Sequence, residues 1–225
     1  MESTNTEKEI RPYLKGVFHT LTFLIYLFWS PYLLESVPES IKMATLIYLL
    51  GVVGHLAASS LLHLIPWSLS FLPYVRKFDH SMIFVKIASV YYIAICTVMP
   101  DIDPKVLSIV IVGTILGILM RIFFTDIPRV LIGIPYVVIG WAFLLDFNIP
   151  LRLLTRVPIG TLIGVSAGIC YTTGAVIYIK KYPNPYPRYL GFHEIFHFLS
   201  SIGAFLFTLA IFGHAIPYYQ STIQY

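Results

Sequence analysis

Seven runs of this chain are apolar over about the length needed to cross a lipid bilayer, and that requirement leaves few folds open. A helical span takes about 20 predominantly apolar residues, and only helices or closed barrels satisfy their backbone polar groups in hydrocarbon. The runs are Gly16–Leu34, Ile41–Ile65, Asp79–Met99, Val106–Phe124, Arg129–Leu145, Ile159–Ile179 and Leu190–Ile216. Turn-forming clusters separate them, such as Pro100-Asp101-Ile102-Asp103-Pro104 and Lys180-Lys181-Tyr182-Pro183-Asn184-Pro185. Proline there stops a helix, and the charges seek the aqueous interface. The fifth run is short and contains Pro135.

Composition agrees. The 225 residues are 57% hydrophobic and 12% charged, with a mean hydropathy of +0.80, whereas soluble domains run about 45–50% apolar and about 25% charged. Too few charges remain to clothe a soluble globule, so lipid must solvate much of the surface. The net charge of +4 points to anionic lipid headgroups and not to nucleic acid. Met1–Lys15 is polar and lacks a signal-peptide cleavage pattern, so the first apolar run is expected in the mature protein. Cys96 and Cys170 both fall inside apolar runs and read as packing residues.

These readings predict an all-α integral membrane protein, a seven-transmembrane helical bundle crossing the bilayer several times. A short polar N-terminus (1–15) precedes one domain (16–216), and a short tail (217–225) follows it. With the N-terminus cytoplasmic, the inside segments hold Lys8, Arg11, Lys15, Arg76, Lys77, Arg121, Arg129, Lys180, Lys181 and Arg188, against Lys42, Lys105, Arg152 and Arg156 outside: ten to four. Positive charge concentrates on the cytoplasmic side, so the expected topology is N-in and C-out. His63, Asp79, His193 and His197 then fall at span ends on the cytoplasmic face.

His193 and His197 are spaced i, i+4 and share a helical face. With His63 as a third ligand they leave one tetrahedral position open, the arrangement of a catalytic zinc site. Asp79, an ionisable group at a span's start, could serve as general base. Ser59, one turn before His63, could donate to the water or to a substrate carbonyl. His193-Glu194-Ile195-Phe196-His197 also fits the H-E-x-x-H pattern of metalloproteases. However, Glu194 is turned about 100° from His193 on a helix, and Asp146 lies on the opposite side of the membrane. His55 sits about 12 Å deeper than His63 at 1.5 Å per residue and reads as a packed or hydrogen-bonded residue. His80 either orients Asp79 or faces the interface. His19 and His214 read as interfacial or structural. Lys86 either pairs with Asp79 or snorkels to the interface.

The stretches Gly168-Ile-Cys-Tyr-Thr-Thr-Gly174-Ala-Val-Ile-Tyr178 and Gly191-Phe-His193-Glu-Ile-Phe-His197, with Ser59-x-x-x-His63 and Asp79-His80-Ser-Met-Ile83-Phe84, resemble the progestin and adipoQ receptor family, which includes the bacterial hemolysin III proteins. The likeness runs from the first span to the seventh. It implies a seven-helix fold with a cytoplasmic N-terminus and Zn2+ held by His63, His193 and His197. It also implies Asp79 and Ser59 around the metal-bound water. Members similar to adiponectin receptors have been assigned ceramide-hydrolysing activity, so the resemblance implies a membrane-lipid partner, with a ceramide-like or other lipid amide as substrate. This sequence departs from the family pattern at Lys86, at Val90-Tyr91-Tyr92-Ile93 and at Phe207. Its short N-terminus makes a hemolysin III-like relative the nearer match.

The expected function is therefore a zinc-dependent hydrolase of a lipid amide or ester at the cytoplasmic membrane face. The alternatives are a receptor or membrane regulator with a structural zinc, and a cytolytic pore. Polarity gathered at one end of the spans speaks against a pore. A cytoplasmic N-terminus speaks against a G-protein-coupled receptor, and the absence of a lysine from the seventh span against a retinal pigment.

Overall fold

The computed structural model describes residues 14–124 and 127–223, so Lys8 and Arg11 lie outside the described residues. The chain is helical throughout, and proline punctuates it where the sequence suggests. Helix α1 spans Val17–Glu35, α2 Glu39–Leu64, α3 Leu72–Thr97 and α4 Pro104–Phe123. Pro38 precedes α2, Pro73 sits in the first turn of α3 and Pro104 opens α4. At these positions the missing N–H costs nothing, because the first helical donors have no intrahelical partner. Asp103 caps α4 by accepting from the Lys105 N–H at 2.7 Å.

The fifth run departs from a simple span. Helix α5, Arg129–Gly140, has 12 residues, about 18 Å at 1.5 Å per residue, which is short of a bilayer core. A 3-10 turn, Ala142–Leu145, and an amphipathic helix α6, Asn148–Arg156, follow it. Helix α7 is Pro158–Lys180 and α8 is Phe192–Ala210; a π-helical turn, Ile211–Ala215, leads into α9, Ile216–Ile223. Among the described residues, six helical stretches are long and apolar enough to cross a membrane, the last running from Phe192 to Ile223. Two expected boundaries shift. The third helix starts at Leu72 and not at Asp79, so Asp79 sits two turns inside it, and residues 217–223 continue as helix.

The lipid-facing character is visible on α4, where Ile111, Val112, Ile115 and Leu116 are each about half exposed. Helices α2 with α3, and α7 with α8, make the broadest contacts. A buried knot joins α1, α2 and α8: the Tyr26 and Tyr48 hydroxyls meet Thr208 Oγ1 at 2.5 and 2.8 Å. Because α2 ends where α3 and α8 begin, their ends gather at one face of the bundle. Arg129 lies over the rings of Tyr178 and Phe192 at that face. Asp146 pairs with Arg152 at the other. The segment from α5 through the 3-10 turn therefore connects the two ends.

Candidate metal centre

His63 ends α2, while His193 and His197 lie one turn apart in the opening turns of α8. Their ligand nitrogens all lie within 4.8 Å of one another. His193 Nε2 is 3.2 Å from His63 Nε2 and 2.8 Å from His197 Nε2. Ligand nitrogens about 2.0–2.1 Å from a tetrahedral zinc stand about 3.3 Å apart, so these spacings suit one shared metal ion. An all-imidazole donor set is also the kind that borderline metals such as zinc prefer. The three residues fit the group that the sequence suggests.

The backbone is shaped to allow this meeting. Gly16, at the start of α1, has a φ of 78°, in the left-handed region that side chains disfavour. A Cβ built there would stand 2.6 Å from His63 Cβ. Glycine thus lets the entry to α1 pass directly over the His63 side chain. At α8, the Glu194 carboxylate turns back and accepts from the Gly191 N–H at 2.9 Å. It satisfies a helix-start donor and complements the helix dipole. Glu194 is only 1% exposed in that role, which speaks against its serving as a protease base.

The residue that sequence reasoning missed is His19. Expected to be interfacial or structural, it is 1% exposed and packs its ring 4.0 Å from that of His197. Its Nδ1 lies 2.7 Å from His197 Nδ1 and 2.7 Å from Ser59 Oγ. In the tautomer that leaves Nε2 to bind a metal, His197 carries its proton on Nδ1 and donates it to His19. The other nitrogen of a metal-binding histidine is commonly held in this way. The available signal was periodicity: His19, Thr22 and Tyr26 are the buried stripe of α1.

Asp79 and Ser59 are placed differently from each other. Ser59 is within hydrogen-bond distance of His19, so it reaches the three histidines through that ring. Asp79 is 6% exposed on α3, close enough to Lys86, Arg121, Tyr136 and Tyr178 for their charges to interact. Tyr178 in turn packs 5.6 Å from the His193 ring. His80 offers its carbonyl to the Tyr136 hydroxyl at 3.0 Å. His55 is buried, as expected of a packed residue, 5.3 Å ring to ring from His19. Lys86 does not snorkel, and it interacts with Asp79 by charge without a direct ion pair. It is 6% exposed, and no carboxylate lies within 4 Å of it among the described residues. Cys96 and Cys170 are free and half-buried.

A family model described as haemolysin-III related matches residues 8–208 of the chain. The match covers every helix from α1 to the last turns of α8.

Proposed function

The chain belongs to the haemolysin-III-related family of integral, multi-pass membrane proteins, and from that premise we propose that it is a zinc-dependent hydrolase of a lipid amide or ester. The observation that carries this reading is the convergence of three histidine nitrogens at the ends of two membrane-spanning helices. In this reading α5 and the 3-10 turn form a short seventh span, supported by their running from one end of the bundle to the other. The histidine end is cytoplasmic. Lys15, Arg76, Lys77, Arg121, Arg129, Lys180, Lys181 and Arg188 belong to that end, and Lys42, Lys105, Arg152 and Arg156 to the other.

His63, His193 and His197 would hold the ion, which when bound would supply Lewis-acid polarisation of a lipid carbonyl. The protein's own groups do the rest. His19 Nδ1 accepts a hydrogen bond from the His197 Nδ1–H and fixes its ring, and Ser59 packs against the same nitrogen from α2. The Asp79 carboxylate takes the proton that an attacking water loses. The lipid presents its carbonyl at the cytoplasmic interface while its chain stays in hydrocarbon.

The test is metal content and turnover together. Purified protein is expected to carry about one zinc per chain, and Asp79→Asn to lose hydrolysis of a ceramide-like amide while keeping the metal. Full zinc with no hydrolysis of amide or ester by the wild type would assign the ion a structural role in a membrane regulator. No zinc at all would end both readings.

A further inference from the structure

Where α4 ends and α5 begins, cations gather beside the three histidines. Arg121 lies in the last turn of α4 and is 2% exposed. Its Nε and Nη1 are buried with no hydrogen-bond partner among the described residues. Arg129 opens α5 and lies over the Tyr178 and Phe192 rings, 5.1 and 5.5 Å from their centres. Its Nη1 is likewise buried and without such a partner. His80 adds a further nitrogen of this kind, Nδ1. The helices are held close here. A Cβ on Gly117, one turn before Arg121, would collide with the Phe84 ring of α3, and Lys77 of α3 donates to the Ile122 carbonyl at 2.6 Å.

The charges of Arg76, Arg121 and Arg129 all act on the Tyr178 hydroxyl, and those of Arg76 and Arg121 act on His80. The three guanidinium groups therefore surround one place. One carboxylate, Asp79, shares it, and Lys86 acts on that carboxylate more strongly than Arg121 does. No carboxylate lies within 4 Å of Arg76, Arg121 or Arg129 among the described residues; Asp126 lies outside them. Counting Asp79 in full still leaves three guanidinium charges against one. The dipole of α4 favours a cation at its end, yet Nε and Nη1 of Arg121 still lack the acceptors that buried donors require. Guanidinium groups fit phosphate oxygens through paired N–H···O bonds. A phosphomonoester, whose second proton leaves near pH 6, carries more charge than a carboxylate or a phosphodiester and suits this excess best. The ends of spans also lie at the depth of the headgroups.

We propose that Arg121, Arg129 and His80, with the exposed Arg76 at the rim, form a binding site for a phosphomonoester, carried by a membrane lipid or present as free phosphate. The buried nitrogens of Arg121 and Arg129 donate to its oxygens, and Arg76 draws it in. The site goes beyond the hydrolytic reading, because its residues are not the three histidines and it binds with or without a metal. Tyr178, beneath Arg129 and 5.6 Å from the His193 ring, adjoins both.

Delipidated protein in detergent at pH 8 tests it with radiolabelled phosphatidic acid, competed by diacylglycerol and phosphatidylglycerol of the same chains and by inorganic phosphate. Phosphatidic acid is expected to bind at least about 10-fold more tightly than diacylglycerol, with phosphatidylglycerol between them. Arg121→Gln should erase most of that preference, and Arg121→Lys, which keeps the charge and loses the planar fork, should recover part of it. Should Arg121→Gln not fold, Arg129→Gln, at a half-buried position, makes the same comparison. Chelated protein and His63→Ala should keep the preference. Its loss in both would place the phosphate on a metal ion and overturn the proposal. Equal binding of phosphatidic acid and diacylglycerol would overturn it too, as would a preference untouched in both Arg121→Gln and Arg129→Gln. Phosphatidylglycerol binding as tightly as phosphatidic acid would overturn the monoester assignment. Inorganic phosphate displacing the lipid at equal concentration would assign the site to free phosphate, and displacement by unlabelled phosphatidic acid alone would assign it to a lipid headgroup.

Discussion

At the end of the bundle where α3 finishes and α6 lies, the long cationic side chains meet acids. Arg156 donates to both Asp101 oxygens at 2.8 and 3.2 Å and to the Val98 carbonyl at 2.7 Å. Arg152 reaches Asp101 at 3.0 Å and Asp146 at 3.1 Å. At the opposite end, where α2 finishes and α8 begins, three imidazole nitrogens face one another with no acid among them. The first arrangement completes itself, because Arg152 and Arg156 pair with Asp101 and Asp146. The second has no counter-charge of its own, and its three converging nitrogens could hold one metal ion. A paired end contributes modest stability, and a converging end marks the place where something else binds.

The largest effect should come from breaking the convergence. His63→Ala, at a half-buried position, is expected to lower affinity for zinc by more than about 100-fold, since a ligand matters at least as much as the outer-shell groups worth about 10–100-fold. Competition with a chromophoric chelator measures it. Because binding to the folded state alone stabilises that state, chelation should lower the wild-type melting temperature and leave that of His63→Ala unmoved. An unchanged melting temperature in chelated wild type would show that the converging end binds no metal.

A smaller effect should follow from disturbing what holds the ligands. His19→Ala removes the acceptor beside His197 Nδ1 and should weaken zinc affinity by about 10–100-fold. His19→Gln, which keeps an acceptor, should recover part of it. Ser59→Ala acts one step further away and should cost less than His19→Ala. If Ser59→Ala weakens affinity more than His19→Ala, the serine touches the metal environment itself and the order His197, His19, Ser59 is wrong.

Much of the converging end was legible in the sequence. The i, i+4 spacing of His193 and His197 needs only a helix, and alternating span direction brings His63 to the same depth. Periodicity marked His19 as part of the buried face of α1 but not as a neighbour of the other histidines, because a lone histidine near a span's start carries no spacing partner on its own helix. Its role depends on the crossing of α1 over α8, which is tertiary. Lys86 was legible only in part. Two turns separate it from Asp79 on α3, and the two interact by charge, but the contacts to His55 and Tyr171 depend on helix packing. The fifth run was legible as short and contains Pro135. That it ends at Gly140 and continues as a 3-10 turn and an amphipathic helix required the structure, since apolar content alone does not distinguish these forms.

The smallest effect belongs to the paired end, and its sign depends on pH. The Arg156 guanidinium hydrogen-bonded to Asp101 holds that carboxyl below its usual range, with smaller help from the charge of Arg152. A carboxyl whose folded-state pKa lies below its unfolded value contributes stability that is complete above the unfolded pKa, about 3.9. That contribution is lost as pH falls through the lowered folded value. Asp101→Asn should therefore destabilise the protein slightly at pH 7, by no more than about 1 kcal/mol because the pair is substantially exposed. The difference from wild type should shrink below about pH 4, where the unfolded-state carboxyl begins to protonate while the folded one still resists, and added salt should shrink it at pH 7 as well. Melting curves of both proteins in one detergent across pH 3–7 measure this. A difference that persists at the acid end would mean that Asp101 acts there through packing and not through its charge. The pairing would then cease to be what distinguishes this end from the histidine end.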